Sequence, residues 1–174
     1  MMDSDPSWSP DGRYIVFTSR RFGGKVPNIG IIDTENRNSI RQVTQSGGAT
    51  PYFSPDGKKI YFISFKDEPT GEIYSIDIAT KQETRITFDK FMDFSPSLST
   101  DSQYLYYTSI REDSNCNKKL DELDNSYIIR KDLKTGESLA LTAGNLSIFD
   151  TKYSILNGGS IVFSASLDNA LNIY

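Results

Sequence analysis

The chain has 174 residues, which is enough for one domain with a hydrophobic core and too few for two domains of ordinary size. Hydrophobic residues make up 37% of it and charged residues 24%, a balance that indicates neither a disordered chain nor a membrane protein. The net charge of −4, with no basic cluster longer than Lys118-Lys119, argues against nucleic acid as a partner, because phosphate binding needs a basic face.

The first recognisable element is a turn, Ser9-Pro10-Asp11-Gly12, which recurs 45 residues later as Ser54-Pro55-Asp56-Gly57. A further shift of 45 reaches Ser99-Thr100-Asp101-Ser102, a copy without Pro and Gly. Pro presets φ near −65°, Asp bonds its own backbone and Gly accepts a positive φ, so each copy predicts a compact hairpin turn. The residues given this structural role are Ser9, Pro10, Asp11, Gly12, Ser54, Pro55, Asp56 and Gly57.

Strand-like segments follow each turn in the same order. The segments directly after the turns lie at residues 13–19, 58–64 and 103–109 and are apolar on both faces. A strand that is apolar on both faces indicates a sheet stacked between two other sheets. Third-strand segments follow at 28–33, 72–77 and 127–132, and fourth-strand segments at 41–44, 84–87 and 139–142. A fourth copy has Asn157-Gly158 as its turn and residues 160–164 as its strand. Four strands in each repeat of about 45 residues, with no helical period, predict an all-β propeller.

The repeat also resembles a known family. The pattern Pro-x-aromatic-Ser-Pro-Asp-Gly, followed by a basic residue and an apolar strand, occurs at residues 6–17 and 51–62. It resembles the WD40-like repeat called PD40, which is typical of the TolB propeller and of propellers attached to prolyl-oligopeptidase-type peptidases. The third copy departs from the pattern by lacking Pro and Gly, and the fourth by lacking Ser-Pro-Asp.

We therefore expect a β-propeller of about four 4-stranded antiparallel blades, the last one incomplete. As a single propeller segment, residues 1–174 would place blade 1 at about 5–45, blade 2 at about 49–88, blade 3 at about 93–143 and a partial blade 4 at about 150–174. Three interpretations of this partial or half propeller stay open: a fragment of a longer propeller, a half-ring that dimerises, and a strained four-bladed closure. Open blade faces and an open edge strand also predict self-association.

The sequence offers no catalytic or cofactor-binding constellation. It contains no histidine, which removes a Ser-His-Asp triad, and it has neither a Gly-x-Ser-x-Gly elbow nor a phosphate-binding loop. Asp11, Asp56 and Asp101 could form a ring of cation ligands, but their place in the turns favours capping of backbone amides. Asp33, Asp77 and Asp132 end strands and are expected to start turns. We expect no enzyme, no cofactor and no metal.

Two further features could be ligand sites, and both have a simpler structural explanation. Trp8 could stack on a sugar, but Phe53 shares its place in the motif, which indicates a blade-packing position in the core. Asp121, Glu122 and Asp124 could hold Ca²⁺ through oxygen ligands, but they lack the spaced Asp/Asn-Gly pattern of a known loop. A solvated charged loop is the favoured interpretation.

The loops at the end of the blades opposite to the Ser-Pro-Asp-Gly turns are the candidate contact surface. They are longer and more variable than the turns and include a polar insertion at about 111–125. Propellers usually bind their partners through variable loops on a rigid scaffold. The alternative is that the insertion is a surface loop without a binding role. The candidate partner-binding residues are Arg20, Arg21, Lys66, Arg111, Glu112, Asp113, Lys118 and Lys119.

The resemblance implies a non-catalytic scaffold that binds protein partners in the bacterial periplasm or cell envelope. The alternative is the substrate-gating propeller of a prolyl-oligopeptidase or dipeptidyl-peptidase type enzyme, whose catalytic domain would lie outside this chain. A third hypothesis is a carbohydrate-active or lyase propeller that uses carboxylates and a cation. The N-terminal residues do not read as a signal peptide, and no apolar run reaches the roughly 18 residues of a membrane span.

Overall fold

A computed structural model describes residues 2–36, 39–120, 124–143, 154–155, 161–162, 164–167 and 170–173. This part of the chain contains strands and turns and no helix, and so no helix that is long and apolar enough to cross a membrane. It holds three four-stranded antiparallel sheets, which confirms the all-β propeller prediction. The chain divides into two compact units, Met1–Lys90 and Phe91–Tyr174.

The first unit contains two sheets. One has the strand order β1 (Asp3–Trp8), β2 (Tyr14–Ser19), β3 (Asn28–Asp33) and β4 (Arg41–Gln42). The other has the order β5 (Ala49–Phe53), β6 (Lys59–Ser64), β7 (Glu72–Asp77) and β8 (Glu83–Arg85). Each strand pairs with the next one in the chain, so both sheets are simple meanders.

The core of this unit lies between its two sheets. Val16, Ile29 and Ile31 of the first sheet pack with Phe53, Ile60, Phe62, Tyr74 and Ile76 of the second, all of them buried. Burial of one such side chain contributes about 1.5–3 kcal/mol, so this layer stabilises the packing of the two sheets on each other. A β-carbon on Gly48 would lie 2.9 Å from Ile29 Cγ1 and 3.0 Å from Phe62 Cδ2, so glycine permits the close approach of the chain there.

The placement of Trp8 in the core was wrong, because its side chain is 59% exposed. Phe53, at the same place in the repeat, is 4% exposed because it lies on the face of the second sheet that meets the first. No described sheet of this unit covers the corresponding face of β1. Burial at this position therefore depends on the neighbouring sheet and not on the repeat motif.

The described residues of the second unit form a four-stranded sheet and two strand pairs. The sheet has the order β9 (Met92–Leu98), β10 (Tyr104–Ile110), β11 (Ser126–Asp132) and β12 (Ser138–Ala140). β13 (Ser154–Ile155) pairs with β14 (Ile161–Val162), and β15 (Ser164–Leu167) pairs with β16 (Ala170–Ile173). The expected turn at Asn157-Gly158 lies outside the described residues, and the extents of the four blades stay predictions.

Two local devices recur in the three four-stranded sheets. The first strand of each sheet is bulged near Pro6, Pro51 and Pro96, because proline cannot donate to the strand ladder. The residue before each proline has a positive φ, at 52° in Asp5, 46° in Thr50 and 53° in Ser95. A threonine just after the fourth strand accepts the N–H of a third-strand isoleucine at 2.9 Å in each sheet, at Thr44, Thr87 and Thr142.

Candidate functional site

The Ser-Pro-Asp-Gly end of the sheets is built from hydrogen bonds inside each turn. The Ser9 hydroxyl donates to Asp11 Oδ1 at 2.5 Å, and that oxygen also accepts the N–H of Arg13 at 3.0 Å. The N–H of Tyr14 donates back to Ser9 Oγ at 2.8 Å. The second and third turns repeat the serine–aspartate bond at 2.6 and 2.5 Å. These bonds, the hydroxyl first, hold the pKa of the carboxyl below its usual value in Asp11, Asp56 and Asp101.

The last position of each turn needs a left-handed backbone. Gly12 and Gly57 have φ of 71° and 70°, and Ser102 adopts 59° in the third turn although it carries a side chain. The aspartates at the ends of the third strands act in the same local way. Asp77 Oδ1 accepts the N–H of Thr80 at 2.8 Å, and Asp132 Oδ1 accepts two backbone N–H groups of its own turn. Asp33 Oδ1 likewise accepts the N–H of Glu35 at 3.0 Å, and its Oδ2 also pairs with Arg13 at 3.0 Å.

A cleft of about 280 Å³ nevertheless lies between the first two turns. Its walls include Asp11 and Asp56 from the turns, Tyr14 from β2, Arg41 from β4 and Ile78, which follows β7. The cleft is small and is lined by groups that mostly belong to the turns and the core edge. The two carboxylates in its walls, Asp11 and Asp56, already accept hydrogen bonds from the serine hydroxyls of their own turns.

At the opposite end, three of the predicted contact residues share one place in the repeat. Arg21, Lys66 and Arg111 are separated by 45 residues each, and every one lies over an aromatic ring. The distances to the ring centroids are 5.5 Å to Phe17, 4.2 Å to Tyr74 and 5.1 Å to Phe91. A cation over a ring face is attracted by the ring quadrupole, so these side chains are held close to the protein.

A carboxylate and a serine complete this arrangement in two of the sheets. The Ser19 hydroxyl donates to Asp3 at 2.6 Å, and Arg21 donates to Ser19 Oγ at 3.2 Å and pairs with Asp3. In the second unit, Ser109 donates to Asp93 at 2.7 Å, and Arg111 donates to Ser109 Oγ at 3.3 Å. The serine hydroxyl and then the arginine lower the pKa of Asp3. These arginines therefore already have intramolecular partners.

The second sheet has a different network at this place, which sequence reasoning missed. Gly48 replaces the carboxylate, and Lys66 instead reaches Glu83 of β8 at 2.5 Å. Glu72 is fully buried, and its Oε1 accepts from Arg85 Nη2 at 2.9 Å and from the N–H of Lys90 at 3.0 Å.

A tyrosine hydroxyl extends the network of the second sheet to the loop after β6. The Tyr74 hydroxyl donates to Asp67, which also lies 3.8 Å from Arg85. Burial, followed by this hydrogen bond to a carboxylate, raises the pKa of Tyr74 well above its usual value. Together these contacts fasten the β6–β7 loop and the segment after β8 to the sheet.

The remaining predicted contact residues differ in how far they are engaged. Glu112 accepts a hydrogen bond from the Tyr127 hydroxyl at 2.9 Å, and Asp113 accepts from two backbone N–H groups of its own loop. Arg20, Lys118 and Lys119 are exposed, and within the described residues their side chains have no hydrogen bond or ion pair. These three cations are the ones most available to an incoming partner.

Comparison with known proteins places this architecture in a family. The family model described as the TolB beta propeller domain matches residues 4–116. The chain belongs to the TolB β-propeller family. The Tol-Pal system protein TolB of Francisella tularensis subsp. holarctica (strain OSU18) is 38% identical over 88 residues, which are 48% of this chain and 19% of that protein.

Solved structures agree with the assignment. The crystal structure of TolB from Acinetobacter baumannii superposes with a TM-score of 0.76 at 25% identity, covering 97% of this chain and 39% of that one. A puromycin-hydrolysing peptidase of Mycobacterium tuberculosis superposes with a TM-score of 0.67 at 18% identity, covering 99% of this chain and 29% of that one, which is a likeness of fold alone. The chain thus spans well under half the length of these relatives. The predicted resemblance to TolB-like PD40 propellers is confirmed.

Proposed function

We propose that the chain is a non-catalytic propeller segment that binds a protein component of a Tol-Pal system in the periplasm of a bacterium. The observation that carries the proposal is the match of the TolB propeller family to residues 4–116, supported by relatives named as Tol-Pal system proteins. The proposal names no catalytic residue, in keeping with a sequence that contains no histidine.

The proposed contact surface is the loop end of the sheets. Its eight predicted residues divide into those held by the protein itself, such as Arg21 and Lys66, and those that face solvent without a side-chain partner, Arg20, Lys118 and Lys119. The free cations favour a partner with an acidic surface, because opposite charges steer the encounter and suppress wrong partners. The held cations give the loops a fixed shape on which such a contact can form.

The test compares charge reversals at the two ends of the same unit. Arg20→Glu in the first unit and Lys118→Glu in the second are measured for binding to the other Tol-Pal proteins of the source bacterium by biolayer interferometry. Lys58→Glu and Lys134→Glu, both beside turns at the opposite end, are the matched controls. We expect loss of affinity and of association rate only for the loop-end variants. Equal effects at both ends would contradict the proposed surface, and no binding by the wild-type chain would contradict the proposed function.

A second candidate function is the gating propeller of a prolyl-oligopeptidase-type enzyme. It is favoured by the peptidase structure that covers 99% of this chain with a TM-score of 0.67. It requires a serine-hydrolase domain in the same reading frame. Labelling of the full gene product by a fluorophosphonate probe would support this function, and a gene product without such a domain would eliminate it.

A further inference from the structure

The cleft between the first two Ser-Pro-Asp-Gly turns presents both signs of charge beside an apolar lining. Its carboxylates, Asp11 and Asp56, belong to the turns, and the guanidinium of Arg41 comes from β4. The volume of about 280 Å³ lies just below the roughly 300–1,000 Å³ of most ligand sites, so the cleft suits a small molecule. The apolar lining includes side chains of both sheets: Tyr14, Ile31, Phe53 and Ile78.

The walls of the cleft are held in place by the fold itself. Each turn is closed by its own hydrogen bonds, and a β-carbon on Gly57 would lie 3.7 Å from Pro10 Cδ, so the two turns approach each other closely. Ile31 and Phe53 are buried in the layer between the two sheets. A ligand that enters a cleft with fixed walls has little side-chain ordering to oppose its binding.

The two carboxylates of the cleft each keep one oxygen outside the bonds of the turn. In Asp11 the serine hydroxyl and a backbone N–H both donate to Oδ1, at 2.5 and 3.0 Å, and in Asp56 they do so at 2.6 and 3.0 Å. Oδ2 takes no part in these bonds. Because the same bonds hold the pKa of both carboxyls below its usual value, both are ionised at neutral pH. An ammonium group, with three N–H donors, complements this side of the cleft.

The guanidinium of Arg41 is the opposite pole of the cleft. Arg41 lies directly opposite Ile31 in the β3–β4 ladder, and opposite residues project from the same face of a sheet. That face packs on the second sheet, which brings the arginine to the cleft. Arg41 is exposed, and within the part of the chain that the structure describes its side chain has no hydrogen bond or ion pair.

The repeat does not require an arginine at this position. Counting back from the threonine that follows each fourth strand, Thr84 and Leu139 stand where the first sheet has Arg41. The positive pole is therefore particular to the first sheet, whereas the turn aspartates recur in all three. A guanidinium that neither the strand nor the turns use remains able to form two parallel hydrogen bonds with a carboxylate.

We propose that this cleft binds a small zwitterion with an apolar side chain, either a free amino acid or a dipeptide. The ammonium group donates to Oδ2 of Asp11 and Asp56, the carboxylate accepts from Arg41, and the apolar side chain lies on the lining. A ligand with only one of the two charges leaves one pole of the cleft without a partner, so it is bound less well. The proposal does not rest on the proposed Tol-Pal function, because the cleft lies at the end opposite to the proposed contact surface.

The exposure of the charged groups limits the expected affinity. Ion pairs in contact with water contribute little each, and a ligand the size of leucine offers few atoms for apolar contact. We therefore expect a dissociation constant on the order of 10⁻⁴–10⁻³ M. Added salt should weaken binding further, because it screens exposed charges.

The first test compares four ligands on the full wild-type chain. L-leucine and leucyl-leucine carry both charges, L-leucinamide lacks the carboxylate, and N-acetyl-L-leucine lacks the ammonium group. Binding is followed by the chemical shifts of backbone amides in the ¹⁵N-labelled protein, with Gly12 and Gly57 as reporters in the two turns. We expect at least one zwitterion to shift these amides, and the two singly charged ligands to bind about tenfold or more weakly.

The second test removes the positive pole. Arg41→Gln should weaken binding of the zwitterions about tenfold and leave the weaker binding of leucinamide unchanged, since leucinamide has no carboxylate for the arginine to hold. The substitution should preserve the fold, because the Arg41 side chain makes no bond within the described residues. Lys25→Gln is the matched control: it removes one positive charge from an exposed position in the β2–β3 loop at the other end of the sheet.

Each outcome decides the proposal. Zwitterion binding that depends on Arg41 supports it, and tighter binding of leucine or of leucyl-leucine tells whether the ligand is a free amino acid or a peptide. No shift with either zwitterion up to about 10 mM overturns it, since that exceeds the expected range. Equal binding of leucine and leucinamide, or an equal loss in Lys25→Gln and Arg41→Gln, also overturns it. The ligand comparison uses the wild-type chain, so it decides even if a variant folds poorly.

Discussion

Replacing Gly48 by alanine places a methyl group where the structure leaves no room for one. The added Cβ would lie 2.9 Å from Ile29 Cγ1, 3.0 Å from Phe62 Cδ2 and 3.2 Å from Thr44 Oγ1. Ordinary contacts begin near 3.4 Å, so three neighbours would each have to retreat by a few tenths of an ångström. Ile29 and Phe62 are fully buried in the layer between the first two sheets, where side chains have little space to move. Overpacking of this kind costs about 1–3 kcal/mol.

A double-mutant cycle with Ile29→Ala tests the reasoning by urea unfolding. Truncation of Ile29 alone should cost about 2–5 kcal/mol, and adding Gly48→Ala to it should cost much less than in the wild-type background, because the new methyl group then has space. Gly12→Ala is the control, because a Cβ at that position would meet nothing within 4 Å and only the φ of 71° disfavours alanine. It should cost about 1 kcal/mol both in the wild-type protein and in the Ile29→Ala background. Equal costs of Gly48→Ala in both backgrounds would refute the steric explanation.

Three further predictions concern charge, pH and the exposed sheet face. Arg85→Met should lower the midpoint of thermal unfolding, because it leaves the buried Glu72 carboxylate without its ion pair. Adding Glu72→Gln should restore part of the lost stability, and no recovery would contradict the pairing. The turn carboxylates of Asp11, Asp56 and Asp101 have folded pKa values below the ordinary 3.8, so the stability they contribute is present above that pH and is lost as the pH falls through the folded pKa. Replacing the serine of all three turns by alanine should therefore make the stability measured by urea unfolding fall less steeply below about pH 4. An unchanged slope would count against this explanation. Trp8→Ser should reduce any self-association seen by light scattering, because it removes the largest exposed apolar group of β1; an unaltered mass distribution would place the contact elsewhere.

The parts of the fold that could be predicted from sequence are those decided within a few residues. A Ser-Pro-Asp-Gly turn closes through bonds between residues two to five positions apart, so the residue types alone determine it. The segments after each turn are apolar on both faces and are about as long as one strand, so the sequence alone also predicts that they are β-strands. Ser102 shows the limit of the motif: the third turn keeps the left-handed backbone without glycine, because Asp101 still supplies the bonds.

The parts that could not be predicted depend on a second segment of chain. Trp8 and Phe53 share one motif position, but only Phe53 meets a neighbouring sheet, so their burial differs. Glu72 begins a strand and would ordinarily be taken as exposed. Its burial follows from Arg85, which lies 13 residues further along and reaches back across the sheet. The spacing of Arg21, Lys66 and Arg111 was visible in the sequence, but the rings beneath them come from different strands or from a loop.

Comparison of the three sheets at one repeat position shows that the loop end varies between sheets where the turn end does not. Asp3 and Asp93 hold a serine and an arginine in the same arrangement, whereas Gly48 stands at that place in the second sheet. In the second sheet Gly48 permits close packing of the chain, and Lys66 pairs with Glu83 instead. The turn end, in contrast, keeps the same bonds at nearly the same lengths in all three sheets. Divergence at the loop end together with repetition at the turn end is what the proposed contact surface requires, because binding residues lie on variable loops held by a rigid scaffold.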